Sequence, residues 1–85
     1  MNDIAMSYLA GRITIRPAVC NGQPTIRGKR ITVHTILEFL GAGESHETIL
    51  HHYPHLEIED IYACLMFAST MLSHKYSLKM VEQYG

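Results

Sequence analysis

The stretch Arg30-Ile31-Thr32-Val33-His34-Thr35-Ile36-Leu37-Glu38-Phe39-Leu40-Gly41 contains the point at which the hydrophobic period changes. Before it, Arg12-Ile13-Thr14-Ile15-Arg16 alternates polar and apolar residues around a β-branched centre, the pattern of a half-buried strand. From Val33 onward, Val33, Ile36, Leu37 and Leu40 recur at i, i+3, i+4 and i+7, and Phe39 widens the stripe, the pattern of an amphipathic helix. Thr32 is placed to cap its start and Gly41 or Gly43 to end it. The expected fold is mainly α: a short N-terminal β-ribbon, then a tri-helical helix-turn-helix bundle with a long last helix.

Outward from this boundary the chain divides into four stretches. Residues 1–11 form a weakly patterned N-terminal segment, in which Ile4, Met6, Tyr8 and Leu9 suit an irregular turn or strand before Gly11. Residues 12–32 read as a compact basic β-ribbon with two turns, at Asn21-Gly22 and at Gly28, because these residues tolerate positive φ. Residues 33–76 hold the three helices. The second is expected to start at Ser45 and to close at Pro54, and the third to start near Glu57 with Asp60 in its first turn, where the helix dipole favours an acid. Residues 77–85 are left as a C-terminal tail.

At 85 residues the chain is one small domain, of a size that buries only about 60–70 % of its unfolded surface. With 47 % hydrophobic and 18 % charged residues it reads as a folded globular chain and not a disordered one. Two cysteines make no disulfide framework, the N-terminal segment lacks the basic cluster of a signal peptide, and no apolar run is long enough to cross a bilayer. The expected location is the cytoplasm, with no membrane association.

The net charge of −1 conceals an asymmetry. Arg12, Arg16, Arg27, Lys29 and Arg30 all precede residue 31 with no acid between Asp3 and Glu38, whereas seven acids face only Lys75 and Lys79 from Glu38 onward. Two readings follow: a polyanion-binding arm, or two halves that attract each other within one chain or across a dimer. For Arg27 and Arg30 the second reading names Glu38, Glu44 and Glu47 as ion-pair partners.

The third helix carries two apolar stripes side by side. Ile58, Ile61, Tyr62, Leu65, Ser69, Leu72 and Tyr76 form one; Cys64, Phe67, Ala68 and Met71 form the other, and no charge falls between Ile61 and Leu72. A surface helix of a small domain needs one apolar face. The second stripe is therefore expected to be a dimer or partner interface, continued by Tyr76, Met80 and Tyr84. The alternative is that it packs against residues 1–10.

Residues 13–68 resemble the bacterial domain of unknown function 433. The resemblance is carried by Gly22-Gln23-Pro24-Thr25-Ile26-Arg27-Gly28-Lys29-Arg30-Ile31-Thr32-Val33, then Ile36-Leu37, Ile49-Leu50, Tyr53-Pro54 and Asp60-Ile61. The chain departs from the family pattern at Lys29 and at Glu57, where the family usually has threonine. Glu is a poor N-cap, so the start of the last helix is expected to be less well satisfied or to shift. What the resemblance implies is a homeodomain-like helix-turn-helix protein, often paired with a PIN-like ribonuclease toxin in the manner of VapB antitoxins.

The residues make no catalytic constellation. Cys20 is a lone thiol, and no nucleophile elbow, phosphate loop or dinucleotide fingerprint is present. His51, His52 and His55 cluster around Pro54 without a zinc-ligand spacing, so no metal or other cofactor is expected. For nucleic acid, the start of the third helix carries Glu57, Glu59 and Asp60, which oppose phosphates. DNA contact is therefore expected from Arg12, Arg16, Arg27, Lys29 and Arg30. The expected function is a non-enzymatic, antitoxin-like homodimer that binds a PIN-like toxin, with operator DNA as a further partner. The alternatives are a stand-alone helix-turn-helix regulator and a structural dimerisation module.

Overall fold

The computed structural model describes residues 6–84, with side chains described for residues 6–73. A three-stranded antiparallel sheet is followed by three helices: β1 (Met6–Tyr8), β2 (Ile13–Ile15), β3 (Thr25–Ile26), α1 (Val33–Gly41), α2 (His46–His52) and α3 (Ile58–Tyr84). The strands lie in the order β1-β2-β3, with Tyr8 opposite Ile13 and Ile13 opposite Ile26. The mainly α expectation is met, with a sheet one strand larger than the ribbon expected from residues 12–32. The extra strand comes from the N-terminal segment, which folds back through Leu9, Ala10 and Gly11, all at positive φ. Only Gly11 signals this turn in the sequence, because leucine and alanine seldom adopt that conformation.

The turns of the ribbon are chemical in origin. Arg27 (φ 48°) and Gly28 (φ 72°) form the centre of a turn closed by the Lys29 N–H donating to the Ile26 carbonyl at 2.8 Å. The Gly28 N–H donates to Thr14 Oγ1 at 2.8 Å, which fastens that turn to β2. Beyond it, Thr25 pairs with Thr32, and Thr32 caps α1 by accepting from the Thr35 N–H at 3.1 Å.

Helix α1 ends where Gly43 takes φ +90°: its N–H donates to the Leu40 carbonyl and the Glu44 N–H to the Phe39 carbonyl, the paired bonds of a Schellman stop. Ser45 then caps α2 through the Thr48 N–H at 3.1 Å. The helix α3 starts at Ile58 and runs without a break to Tyr84, so the stretch 77–84 that was set apart as a tail continues the helix.

The core is assembled from every element except β1: Ile13, Ile26, Val33, Ile36, Ile49, Leu56, Ile61, Ala63, Cys64 and Phe67 are buried. The sheet and the helices meet on α3, where Tyr8 of β1 sets its ring edge-on against Phe67 with centroids 5.4 Å apart. This rearranges the two stripes read from the sequence. Cys64 and Phe67, expected at an interface, lie inside the chain's own core because the sheet covers them. Tyr62, Leu65 and Leu72, counted in the first stripe, are exposed.

Candidate functional site

Asp60 stands at the third position of α3 and is fully buried. A buried carboxylate is tolerable only when its charge and its lone pairs are answered. Here four donors answer it. Arg27 lays its guanidinium edge along the carboxylate, Nε to Oδ1 at 3.0 Å and Nη2 to Oδ2 at 2.8 Å. Arg12 Nη1 donates to Oδ1 at 2.8 Å, and the Glu57 N–H donates to Oδ2 at 2.8 Å. The last bond is one half of a capping box, in which the third helical residue reaches back to the cap position. It satisfies the N–H of Glu57 itself, the half of the box that does not depend on a capping side chain at position 57. Glu57 instead turns outward and accepts from Arg12 at 2.9 Å.

The electrostatics follow from these contacts. Burial pushes the Asp60 carboxyl up, but the Arg27 fork, the Glu57 N–H and Arg12 outweigh it and hold the group below the ordinary aspartate range. Arg12 is raised by its bonds to Glu57 and Asp60, and Arg27 chiefly by its bond to Asp60. Arg27 also donates from Nη2 to the His55 carbonyl at 3.0 Å. The 27–28 turn therefore lies over the start of α3 and clamps it.

Two of the five cations assigned to DNA thus have a structural partner, and it is not one of the acids named from the sequence. Arg12 and Arg27 bind Asp60 and not Glu38, Glu44 or Glu47. Arg16 is partly buried and also has a partner. Lys29 and Arg30 form no ion pair among the described residues, and Arg30 is exposed. The role of Asp60 was missed in the sequence, where it reads as a helix-dipole acid; the signal available was the acid three residues after a non-capping Glu57.

The expected interface residues fall in three places. Cys64 is in the core, its thiol pushed up to about 12 by burial and then by Asp60, and Phe67 lies beside it. Ala68 and Met71 line an open apolar groove of about 350 Å³ between α1 and α3, with Pro24, Val33, His34, Leu37, Phe67 and Leu72. The side chains of Tyr76, Met80 and Tyr84 lie outside the described residues. On the opposite side of α3, Tyr62 (51 % exposed), Leu65 (42 %) and Met66 (56 %) form a second uncovered apolar surface.

The histidines go to different neighbours, although the rings of His51 and His52 meet edge-on at 6.4 Å. His52 stacks on Phe39 at 5.7 Å, His46 meets Tyr62 edge-on at 5.8 Å, and His34 lies 3.4 Å from Glu38 one turn on. Among the described residues no three His, Cys, Asp or Glu side chains stand close enough to share a metal ion, and no helix is long and apolar enough to cross a membrane.

The family described as protein of unknown function (DUF433) matches residues 13–68. The chain belongs to the DUF433 family. No curated protein and no solved structure matches it significantly. In this DUF433 protein the matched span holds β2, β3, α1, α2 and α3 as far as Ala68, and so includes Arg27, Asp60 and most of the groove. Arg12 lies one residue outside it.

Proposed function

We propose that this DUF433 protein is a non-enzymatic, antitoxin-type binding module whose partner is a PIN-like ribonuclease. The observation that carries the reading is the groove between α1 and α3. Its lining is almost wholly apolar, it opens to solvent, and Met71 and Leu72 stand 37 % and 57 % exposed at its rim. Exposed apolar surface of this kind on a small chain is the mark of a protein-binding face, and methionine adapts to a partner's shape. The ribonuclease is the partner class that the family resemblance implies.

The test is neutralisation. The protein is co-expressed with a PIN-like ribonuclease, and RNA cleavage and growth are followed. Met71→Glu and Leu37→Glu are expected to abolish rescue while far-ultraviolet dichroism and thermal unfolding of Met71→Glu stay near wild type. Full rescue by both variants would refute the groove as the seat.

A second reading, operator binding, is favoured by Lys29 and Arg30. If the three helices are read as a helix-turn-helix, the end of α3 that would enter a groove is clamped beneath Arg27 and carries Glu57 and Glu59. DNA contact in this reading falls to the 27–30 turn.

A further inference from the structure

The connection from β2 to β3 passes through Cys20, Asn21 and Gly22, which take φ 51°, 59° and 77° in succession. These three left-handed residues make a tight turn. The Gly22 N–H donates to the Val19 carbonyl at 3.0 Å, and the Gln23 N–H donates to the Cys20 carbonyl at 3.1 Å. Asn21 stands at its centre and is exposed to water. Asparagine is one of the few residues other than glycine that accept this backbone.

An asparagine followed by glycine carries a reaction of its own. The Gly22 nitrogen can attack Asn21 Cγ. The N–Cγ bond forms, the Cγ–Nδ2 bond breaks, and ammonia leaves with the proton that the Gly22 nitrogen gives up. Water then opens the five-membered imide. Opening at Cγ leaves an aspartate, and opening at the backbone carbonyl carbon leaves an isoaspartyl link. One water is consumed, one ammonia is released, and nothing is oxidised or reduced. Glycine favours the attack because it has no side chain to shield its nitrogen.

The folded turn withholds both requirements of this reaction. Ring closure needs the Gly22 nitrogen on the same side of the Asn21 Cα–C bond as Cβ. At ψ 33° that nitrogen lies nearly anti to Cβ, close to the greatest separation from Cγ that rotation about this bond allows. Attack also needs the nitrogen to shed its proton, and in the turn that proton is held by the Val19 carbonyl. Both obstacles are removed only when the turn opens.

We propose that Asn21 is a deamidation site latent in the fold, closed while the turn is intact and reactive once the turn or the whole chain opens. The reaction then marks the opened chain irreversibly. The isoaspartyl product carries the main chain through Cβ and Cγ, which adds a backbone atom between positions 21 and 22, so the bond from Gly22 to Val19 cannot re-form in the same ring. The aspartyl product keeps the backbone, and aspartate also accepts positive φ. This chemistry is independent of the partner proposed for the α1–α3 groove.

Three samples kept reduced at about pH 8 test it: the folded chain, the same chain unfolded in guanidinium chloride, and a free peptide of residues 18–24 without denaturant. Peptide mass mapping and isoaspartyl detection count the products at position 21. The folded chain is expected to deamidate at least tenfold more slowly than either open sample, because reaction must wait for local opening. A folded chain within tenfold of either open sample would overturn the proposal. The purified isoaspartyl chain is expected to unfold several degrees below wild type, and Asn21→Asp close to wild type. An isoaspartyl chain as stable as Asn21→Asp would show that the turn does not depend on the backbone at this position, and would also overturn it.

Discussion

Arg27 and Asp60 face each other edge to edge, two nitrogens on two oxygens at 3.0 and 2.8 Å, across 33 residues of chain. The pair joins the turn after β3 to the first turn of the longest helix. Arg12 adds a third cationic bond from β2's leading edge, so strand, turn and helix meet on one carboxylate.

Asp60→Asn is expected to lower stability by about 2–4 kcal/mol, within the range for breaking a buried ionic network whose cations keep some access to water. For a chain of this size that is a fall in Tm of roughly 10 °C or more. Arg27→Lys is expected to lose a large part of the same stability although it keeps the charge, because an ammonium cannot present two parallel N–H bonds. Urea unfolding of the two variants checks both; an Arg27→Lys protein as stable as wild type would show that the fork geometry is unimportant.

The pH dependence has a definite sign. Asp60 is held below its ordinary value in the folded chain, so its stabilisation is present above its unfolded pKa, near 4, and is lost as pH falls through the folded value. The stability gap between wild type and Asp60→Asn is expected to be constant from pH 7 down to about 5 and to shrink at lower pH. Denaturation midpoints of both proteins between pH 7 and pH 2 measure the gap directly. A gap that widens on acidification would contradict the assignment.

Cys64 is expected to resist labelling. Its thiol is pushed up to about 12 and is wholly buried, so little thiolate is present or reachable at pH 8. Cys20, on a partly exposed turn, is expected to react first with an aromatic disulfide reagent. One rapid equivalent followed by a second only on unfolding is the expected time course. Two equal fast phases would mean that the α3 core opens readily.

If operator DNA is bound, Lys29→Ala and Arg30→Ala are each expected to flatten the slope of log affinity against log salt by roughly 0.9 per cation removed from contact. Arg27→Ala is expected to act differently, lowering thermal stability before it alters the slope. Binding isotherms at several salt concentrations, with thermal unfolding of the same proteins, separate the two effects. Unchanged slopes for Lys29→Ala and Arg30→Ala would remove the 27–30 turn from any DNA footprint.

The helices and their ends were legible because the interactions that set them are short in sequence. Thr32 reaches Thr35, Ser45 reaches Thr48, and Gly43 supplies the one backbone conformation that the end of α1 requires. The family pattern was legible for the same reason, since its turns and caps are strings of adjacent residues. The strand β1 was legible only as one of two alternatives, an irregular turn or a strand, because its turn places Leu9 and Ala10 in a conformation their side chains disfavour and only the completed sheet rewards.

By itself the sequence determined where the chain turns from strand to helix, where α1 and α2 start, and that α3 has more apolar surface than one core can take. Only the tertiary structure decided which part of that surface is covered. Tyr8 closes over Phe67 from one side of α3, leaving Tyr62 and Met66 open on the other, and periodicity on a single helix cannot tell these faces apart. It also decided the role of the cations. Arg12 and Arg27 are indistinguishable from Lys29 and Arg30 as charges in a row; what separates them is Asp60, 48 and 33 residues away, brought into reach by the packing of the sheet against the helix.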